Sequence, residues 1–274
     1  MTSSAQLSVA SIQMVSSPSW EDNLSSATQQ ISAAKSAGAN LIALPEYFCL
    51  MGHSDQDKVK ICEQFGDGPI QDALKNLAIK HQVYLVAGTI PLASTDKNKV
   101  RNSTLVFSSS GEVMSRYDKI HLFGFKQGDE NYQESNTIEA GTTPTSFTIT
   151  HQNTEWNIGL SICYDMRFPE LYRAIGAVDC HVIPAAFTYT TGKAHWEILL
   201  RARAIENQCY VLASAQGGKH NNGRRTWGQS MLVNPWGEIE SELKDGEGFV
   251  IGHLKKELIH EIRTKLPALQ HRTL

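Results

Sequence analysis

The stretch NIGLSICYDMRFPELY, residues 157–172, passes from a buried strand into a polar turn. Its apolar run, 158–162, leads directly into Cys163, and an aromatic, charged segment that contains Pro169 follows. Free cysteine is among the most buried residue types, which favours a packing role for Cys163. The end of a strand is also where an α/β protein presents reactive groups, which favours a chemical role. Both interpretations stay open until the rest of the chain is considered.

Strand and helix patterns alternate on both sides of this stretch. LSVASIQM (7–14) alternates with the period of a strand, and residues 20–37 place apolar side chains at helical spacing. We further predict strands at 41–44, 83–90, 157–162, 178–183, 209–214, 229–233 and 248–253, a hairpin of 102–107 with 112–119, a helix beginning at Pro69, and helices at 168–176, 193–207 and 255–265. No Pro/Ser-rich linker or short repeat interrupts the order. The pattern predicts one domain, residues 1–274, with layered α/β architecture, helices outside and sheets within.

Composition and charge limit the classes of partner. The 274 residues are 41% hydrophobic and 19% charged, which is typical of a globular protein, and the formal net charge is −3. This slightly negative charge does not favour binding to nucleic acid or to an anionic membrane. No stretch of the sequence has the ~18 consecutive apolar residues that a membrane-spanning helix needs. We therefore expect no nucleic-acid partner and no membrane association. The expected partners are a small molecule and further copies of the chain.

Cysteine usage and motifs argue against a metal or a cofactor. The five cysteines are odd in number and form no CxxC pair, so neither a disulfide framework nor a cysteine-rich zinc site fits. GKA at 192–194 lacks the rest of a phosphate-binding loop, and no dinucleotide fingerprint follows a strand. The amino terminus lacks the features of a secretory signal. We expect a cytoplasmic protein with neither metal nor cofactor.

Three apolar strands end in residues that can do chemistry. LIALPE ends in Glu46, VMSRYDK in Lys119 and IGLSIC in Cys163. A thiolate is a nucleophile, a carboxylate can move the thiol proton to a leaving amine, and an ammonium can stabilise an oxyanion. At one rim of the sheets the three could perform acyl transfer. Each also has a simpler interpretation, as a core cysteine, a solvated lysine or a surface glutamate, and periodicity does not show that they meet.

The motifs around these residues resemble a known family. LPEYF (44–48), YDKIHLF (117–123) and ICYDMRFPELYR (162–173) are similar, in order and separation, to the three signature motifs of the nitrilase (carbon–nitrogen hydrolase) superfamily. The resemblance covers nearly the whole chain. It implies a four-layer α-β-β-α sandwich and a Glu-Lys-Cys catalytic triad.

The same resemblance assigns roles to individual residues. Glu46 is then the general base, Lys119 the cation that stabilises the oxyanion, and Cys163 the nucleophile. The backbone N–H of Tyr164 would be a further oxyanion donor, and Glu134 matches a second glutamate that such families often use. The resemblance also suggests homodimers, and the apolar residues on several faces of the helices after Cys163 fit a subunit interface.

Two further segments indicate a branch of the superfamily. AFTYTTGKAHWE (186–197) and RARAIENQCYV (201–211) resemble amidases that act on deaminated glutathione, releasing 2-oxoglutarate and cysteinylglycine. The alternatives are an ω-amidase that releases ammonia from 2-oxoglutaramate, and another aliphatic amide or carbamoyl hydrolase of the superfamily. The segment 123–135 is one residue shorter than in relatives, and Gln229 stands where many of them have histidine. Both differences bear on the pocket.

Two basic features have alternative interpretations. Arg167, four residues after Cys163, is placed to bind a substrate carboxylate, or to form an ion pair with Glu170 or Asp165 that shapes the turn. The basic loop 217–225 is a surface loop, or it attracts an anionic substrate.

Two rival functions also stay open. The first is a cysteine–histidine hydrolase that uses His121 or His195 beside Cys163. The second is a catalytically silent relative that acts as a binding or scaffold protein. Retention of the three triad residues argues against the second.

Overall fold

The computed structural model describes residues 5–128 and 130–273. In chain order its strands are β1 (Gln6–Gln13), β2 (Leu41–Ala43), β3 (Tyr84–Val86), β4 (Ile90–Ala93), β5 (Val100–Phe107), β6 (Val113–Asp118), β7 (Gly124–Gln127), β8 (Glu130–Gln133), β9 (Thr145–His151), β10 (Thr154–Leu160), β11 (Cys180–Ala185), β12 (Tyr210–Ala215), β13 (Gly217–Lys219), β14 (Arg225–Trp227), β15 (Ser230–Val233), β16 (Ile239–Leu243) and β17 (Gly248–Lys255). The helices are α1 (Trp20–Ser36), α2 (Asp57–Lys60), α3 (Pro69–His81), α4 (Pro169–Ile175), α5 (Tyr189–Asn207) and α6 (Lys256–Lys265), with 3-10 turns at Glu134–Asn136 and Cys163–Arg167. In this part of the chain no helix is long and apolar enough to cross a membrane.

Two sheets with parallel central strands form the interior. The first has the order β17-β1-β2-β3-β5-β4, with β6 paired to β5, and β1, β2 and β3 run parallel. The second has the order β16-β15-β12-β11-β10-β9, and β10, β11 and β12 run parallel. Parallel strands place their carboxyl ends at the same edge of a sheet, which is where α/β ligand sites form.

Alternation along β1 divides its side chains between two cores. Leu7 and Val9 lie in the core between the sheets, whereas Ala10 and Ile12 pack with α1 and α3. The core between the sheets continues through the second sheet to α4 and α5. The layers therefore run helix, sheet, sheet, helix, and the predicted α-β-β-α sandwich is confirmed.

Serine hydroxyls join the two sheets near their centres. Ser214 Oγ on β12 donates to the carbonyl oxygen of Ala43 at 2.9 Å and lies 2.9 Å from Ser11 Oγ on β1. Both serines are fully buried. Because Ala43 is the last residue of β2, these bonds hold the strand end from which the chain continues to Glu46.

The structure departs from the predicted elements where the backbone is irregular. The prediction of a single strand at 83–90 is wrong. Residues 87–89 interrupt it and separate β3 from β4. Gly88 takes a φ of 55° there, and a Cβ on it would lie 2.2 Å from the Pro45 carbonyl oxygen. Helix α5 begins four residues earlier than predicted, since Thr188 accepts a capping hydrogen bond from the N–H of Thr191.

Candidate active site

The chain leaves β2, β6 and β10 at one region of the sandwich, and Glu46, Lys119 and Cys163 follow within three residues of these strand ends. Lys119 Nζ lies 2.8 Å from Glu46 Oε1 and 2.8 Å from Glu134 Oε2. Lys119 and Glu46 are each 1% exposed. The Glu46 carboxylate also interacts with the Cys163 thiol. The structure thus brings a thiol, an ammonium and two carboxylates into one cluster.

Cys163 stands at the start of a strained turn. Its φ of 49° is in the left-handed region, which costs a residue other than glycine about 1–2 kcal/mol. The fully buried carboxylate of Asp165 holds the turn by accepting three hydrogen bonds, in addition to its contact with His121 Nδ1 at 2.7 Å. Its donors are the N–H groups of Ile162 and His121, both at 2.9 Å, and the hydroxyl of Tyr117 at 2.6 Å. Strain that is held in this way is typical of functional sites.

Glu134 is fixed by neighbours on both of its oxygens. The Tyr47 hydroxyl donates to Oε1 at 2.7 Å, and the Phe123 N–H donates to Oε2 at 2.7 Å. Tyr47 has a φ of 55°, and its N–H donates to Thr89 Oγ1 at 2.9 Å. The carboxylate therefore stays in place to pair with Lys119.

Glu46 has a further partner that the sequence does not reveal. Asn102, in the middle of β5 and 3% exposed, donates from Nδ2 to Glu46 Oε1 at 3.0 Å. Gln216 donates to the backbone oxygen of Glu46 at 3.1 Å. These contacts span 56 and 170 residues, so no local pattern points to them. They fix the orientation of the carboxylate next to the thiol.

Burial and charge separate the two glutamates. Burial, together with the Glu134 charge, raises the pKa of the Glu46 carboxyl above its ordinary value, against the opposing effect of Lys119. Burial alone would raise the pKa of the Glu134 carboxyl. The Lys119 ammonium and the hydrogen bonds from Lys119, Phe123 and Tyr47 outweigh burial, and the pKa is lowered. Two carboxyls with pKa values pushed apart can take different roles, one exchanging protons and one staying ionised.

The surroundings of Cys163 favour the neutral thiol over the thiolate. Burial and the Glu46 charge raise the pKa of Cys163 well above its ordinary value, and Lys119 opposes them. Burial lowers the pKa of the Lys119 ammonium, but the carboxylates of Glu134 and Glu46 outweigh it and the net shift is upward. A neutral thiol next to a carboxylate with a raised pKa requires that the proton be removed as the sulfur attacks.

A narrow cleft gives access to this cluster. Its walls contain three of the groups described above and several further side chains: Glu46, Phe123, Glu134, Cys163, Tyr164, Arg167, Ala186, Phe187, Thr188, Thr191 and Arg224. The backbone of Ala186 hydrogen-bonds the Cys163 sulfur. Within residues 5–128 and 130–273, no group of three or more His, Cys, Asp or Glu side chains is arranged to hold a metal ion.

Arg167 faces the cleft without a carboxylate partner. Its guanidinium lies 5.7 Å from the Tyr164 ring centroid and 5.4 Å from that of Phe187, and Nη2 lies 3.2 Å from His195 Nδ1. Among the described residues no carboxylate oxygen lies within 4.0 Å of it, so the ion pair with Glu170 or Asp165 does not form. The cationic group is available to a ligand in the cleft.

The two histidines considered for a cysteine–histidine pair lie elsewhere. His121 Nδ1 lies 2.7 Å from Asp165 Oδ1, and its ring stacks on Phe168 at 3.7 Å. His195 contacts Arg167. Neither histidine is among the residues that line the cleft with Cys163.

The departures from relatives lie at different distances from the cleft. In the segment 123–135, strands β7 and β8 pair with each other, and Phe123 and Glu134, which flank them, line the cleft. Gln229 does not line it. The Gln229 carbonyl and side-chain oxygens accept hydrogen bonds from the indoles of Trp196 and Trp227 at 2.8 and 3.1 Å.

A four-layer sandwich with a cysteine, a lysine and two glutamates clustered at the strand ends is the arrangement of the nitrilase-like class of α/β proteins. The family model for carbon–nitrogen hydrolases matches residues 8–264. The chain is 38% identical to a deaminated glutathione amidase of Synechocystis sp., covering 96% of this chain and 97% of that protein. It is 39% identical to a deaminated glutathione amidase of Yersinia enterocolitica, covering 96% and 92%.

A solved structure shows the same architecture. Nit3 of Saccharomyces cerevisiae, a member of branch 10 of the nitrilase superfamily, superposes with a TM-score of 0.87 at 30% identity, over 98% of this chain and 97% of that one. The chain therefore belongs to the carbon–nitrogen hydrolase family of the nitrilase superfamily, and it is an amidase.

Proposed function

We propose that this amidase hydrolyses deaminated glutathione to 2-oxoglutarate and cysteinylglycine, through a thioester on Cys163. The observation that carries the proposal is the buried cluster in which Lys119 bridges Glu46 and Glu134 beside the thiol. The names of the relatives from Synechocystis and Yersinia support the substrate.

The first half of the reaction forms the thioester. Cys163 Sγ attacks the amide carbon while Glu46 accepts the thiol proton, and the carbonyl oxygen becomes an oxyanion. The Lys119 ammonium and the N–H of Tyr164 stabilise that charge, a contribution of about 3–4 kcal/mol per donor in comparable sites. Collapse breaks the C–N bond, and Glu46 returns the proton to the departing amine nitrogen.

The second half releases the acid. Water enters in place of the amine, and Glu46 takes its proton as the oxygen attacks the thioester carbon. The second tetrahedral intermediate uses the same oxyanion donors, and its collapse breaks the C–S bond and reprotonates the thiol. Glu134, whose pKa is lowered, stays ionised and holds Lys119 throughout.

Arg167 supplies the recognition of the acyl part of the substrate in this proposal. A 2-oxo acid carries a carboxylate, and a guanidinium without an acidic partner binds that group through paired, charge-assisted hydrogen bonds. The position of Arg167 in the wall of the cleft supports this role.

The test is a comparison of kcat/KM for deaminated glutathione, 2-oxoglutaramate and simple aliphatic amides. We expect deaminated glutathione to be preferred, and mass spectrometry of quenched enzyme to find the 2-oxoglutaryl adduct on the Cys163 peptide. A preference for 2-oxoglutaramate would instead identify the enzyme as an ω-amidase. Full activity of a Cys163→Ala variant would refute the cysteine mechanism.

We also propose that the chain is one domain that forms a homodimer in the cytoplasm. Large exposed apolar side chains on and beside α5 support the dimer: Ile198 (69% exposed), Ile205 (49%) and Trp236 (58%). The five cysteines are free, which supports a reducing compartment.

A further inference from the structure

A second cavity, with room of about 260 Å³, opens beside the catalytic cleft. The two share Phe123, Glu134 and Arg224 as walls. The far side of the second cavity is formed by residues 50–55 with Lys58, and by the hairpin residues 131–133. Its volume is far larger than an ammonia molecule needs, so an extended leaving group could lie in it.

Arg224 stands at the boundary of the two cavities with unused hydrogen-bonding capacity. Its Nη2 donates to the Ala186 carbonyl oxygen at 3.3 Å, and its guanidinium lies 5.0 Å from the Tyr132 ring centroid. Its Nε is buried without a hydrogen-bond partner. No carboxylate oxygen in the described part of the chain lies within 4.0 Å of the guanidinium. A guanidinium in this state is suited to a carboxylate ligand.

The loop that carries Arg224 is firmly held. His220, 2% exposed, bridges Ser16 O at 2.9 Å and Thr226 Oγ1 at 2.8 Å. Asn222 donates to the Gly52 carbonyl oxygen at 2.7 Å and accepts from the Arg224 N–H at 2.9 Å. The backbone at Arg224 is therefore held in place, and little ordering of the loop is needed when a ligand binds.

The other cation of this cavity is already neutralised. Lys58 Nζ pairs with Asp55 Oδ1 at 3.3 Å and donates to Thr137 Oγ1 at 3.2 Å. Arg224 is thus the better candidate for a new anionic partner. The catalytic cysteine lies in the cleft that has Arg167 and Arg224 in its walls.

We propose that the second cavity is the subsite for the leaving amine and that Arg224 binds the carboxylate of that amine product. This inference rests on the proposed function, since deaminated glutathione carries one carboxylate on each side of its scissile amide. Arg167 then takes the acyl-side carboxylate and Arg224 the glycine carboxylate. The enzyme selects substrates whose amine part ends in a carboxylate.

The test uses Arg224→Gln with three substrates: deaminated glutathione, the same compound with its glycine carboxylate converted to the carboxamide, and 2-oxoglutaramate. We expect the ratio of kcat/KM for deaminated glutathione over 2-oxoglutaramate to fall roughly 10- to 100-fold in the variant, the range of a charge-assisted hydrogen bond. The preference of the wild type for the free acid over the carboxamide should disappear. Inhibition by cysteinylglycine should weaken by a similar factor.

Arg225→Gln is the matched control. Arg225 is exposed, its guanidinium lies 3.6 Å from the Tyr189 ring centroid, and it lines neither cavity. We expect wild-type ratios for this variant. Equal losses on all three substrates, or an unchanged ratio, in Arg224→Gln would overturn the subsite. A wild type that does not cleave deaminated glutathione would instead overturn the proposed function, whatever Arg224 does.

Discussion

Lys119 shows how one residue can serve both stability and chemistry. Its ammonium is fully buried and lies 2.8 Å from an oxygen of each of the carboxyl groups of Glu46 and Glu134. The lysine keeps the two carboxylates together, and in the proposed reaction its positive charge stabilises the oxyanion. Its removal should therefore affect folding as well as turnover.

We predict that Lys119→Met abolishes activity and lowers the free energy of unfolding by about 3–5 kcal/mol, since it leaves two buried carboxylates unpaired. Urea denaturation followed by circular dichroism measures the loss. The control is Lys265→Met, where a 72% exposed side chain pairs with Glu261 and the expected change is below about 1 kcal/mol. Equal stability of the two variants would contradict the buried bridge.

We predict that kcat/KM decreases as the pH is lowered, and that the pKa of this acid limb lies above the ordinary 4.5 of glutamate. Glu46 must be ionised to accept the thiol proton, and its pKa is raised, so activity is lost as pH falls through that raised value. Glu134 does not cause this limb because its pKa is lowered. A pH profile from 4 to about 9 measures it, using the relation between kcat/KM and free-enzyme pKa values.

A second measurement assigns the acid limb. The rate at which iodoacetamide alkylates Cys163 should follow the same limb in the wild type, and a Glu46→Gln variant should lose the limb and react slowly at neutral pH. An acid limb at or below 4.5 would show that the carboxyl is not perturbed as the structure indicates.

At this scale the sequence identifies the residues but not all of their partners. Glu46, Lys119 and Cys163 stand out because each follows a predicted strand closely. Asn102 lies within a strand, and its amide gives no sign that it faces a carboxylate. Arg224 belongs to a loop whose basic character is visible, but only the fold shows that it reaches the catalytic cleft.

At the scale of elements, the turn after β3 sets the position of Glu46. Gly88 lies against the Pro45 carbonyl, and a Cβ at this glycine would be 2.2 Å from that oxygen. The Gly88 carbonyl accepts a hydrogen bond from Thr104 Oγ1 at 2.6 Å, which ties the turn to β5. The break in the predicted strand is therefore the feature that lets the glutamate segment pack closely.

We predict that Gly88→Ala lowers the free energy of unfolding for two reasons. The left-handed backbone at residue 88 costs alanine about 1–2 kcal/mol, and the clash of its methyl group with the Pro45 carbonyl oxygen costs about 1–3 kcal/mol more. Since the clash is with the residue before Glu46, kcat should fall as well. Gly128→Ala is the control: its φ of 57° matches, and apart from its chain neighbours no atom of the described residues lies within 4 Å of the added methyl group. If the two variants have similar melting temperatures, Pro45 can move aside and the predicted clash does not destabilise the protein.

Element prediction succeeded where periodicity is strong and failed where strands are short or at an edge. The helices α1, α3 and α6 follow from regular apolar spacing, and the strands β1, β2, β10, β11 and β12 follow from alternation or from short apolar runs. Strands β7, β8, β13 and β14 have three or four residues each, too few to display a period. Strand β9 alternates, but half of it faces solvent at the edge of the second sheet, and its polar residues resemble a loop.

For the whole molecule, the layer order could be predicted, but the packing of the sheets against each other could not. Alternating patterns favour helices outside and sheets within, whereas the Ser11 and Ser214 hydroxyls that join β1, β2 and β12 look like ordinary strand residues. They lie 203 residues apart in the chain. The active site depends on this packing, since Glu46 and Lys119 follow strands of the first sheet and Cys163 follows a strand of the second.

The exposed apolar surface on α5 leads to a prediction about assembly. Ile198 and Ile205 are seven residues apart and share a helix face, and the Ile205 side chain packs at Gly237, next to Trp236. Arg201 Nε donates to the Gly237 carbonyl oxygen at 2.7 Å, which fixes the turn to the helix. Together these side chains form one patch of a kind that marks interfaces.

We predict that the wild type sediments as a dimer at micromolar concentration and that Ile198→Asp shifts it to a monomer, because a charge without a partner would be buried in the interface. Analytical ultracentrifugation over a dilution series should show the dissociation constant rising at least ~30-fold, equivalent to about 2 kcal/mol. Val113→Asp is the control, since Val113 is 42% exposed on β6 of the other sheet. A monomeric wild type would contradict the dimer. A dimer unaffected by Ile198→Asp would show that the interface lies elsewhere.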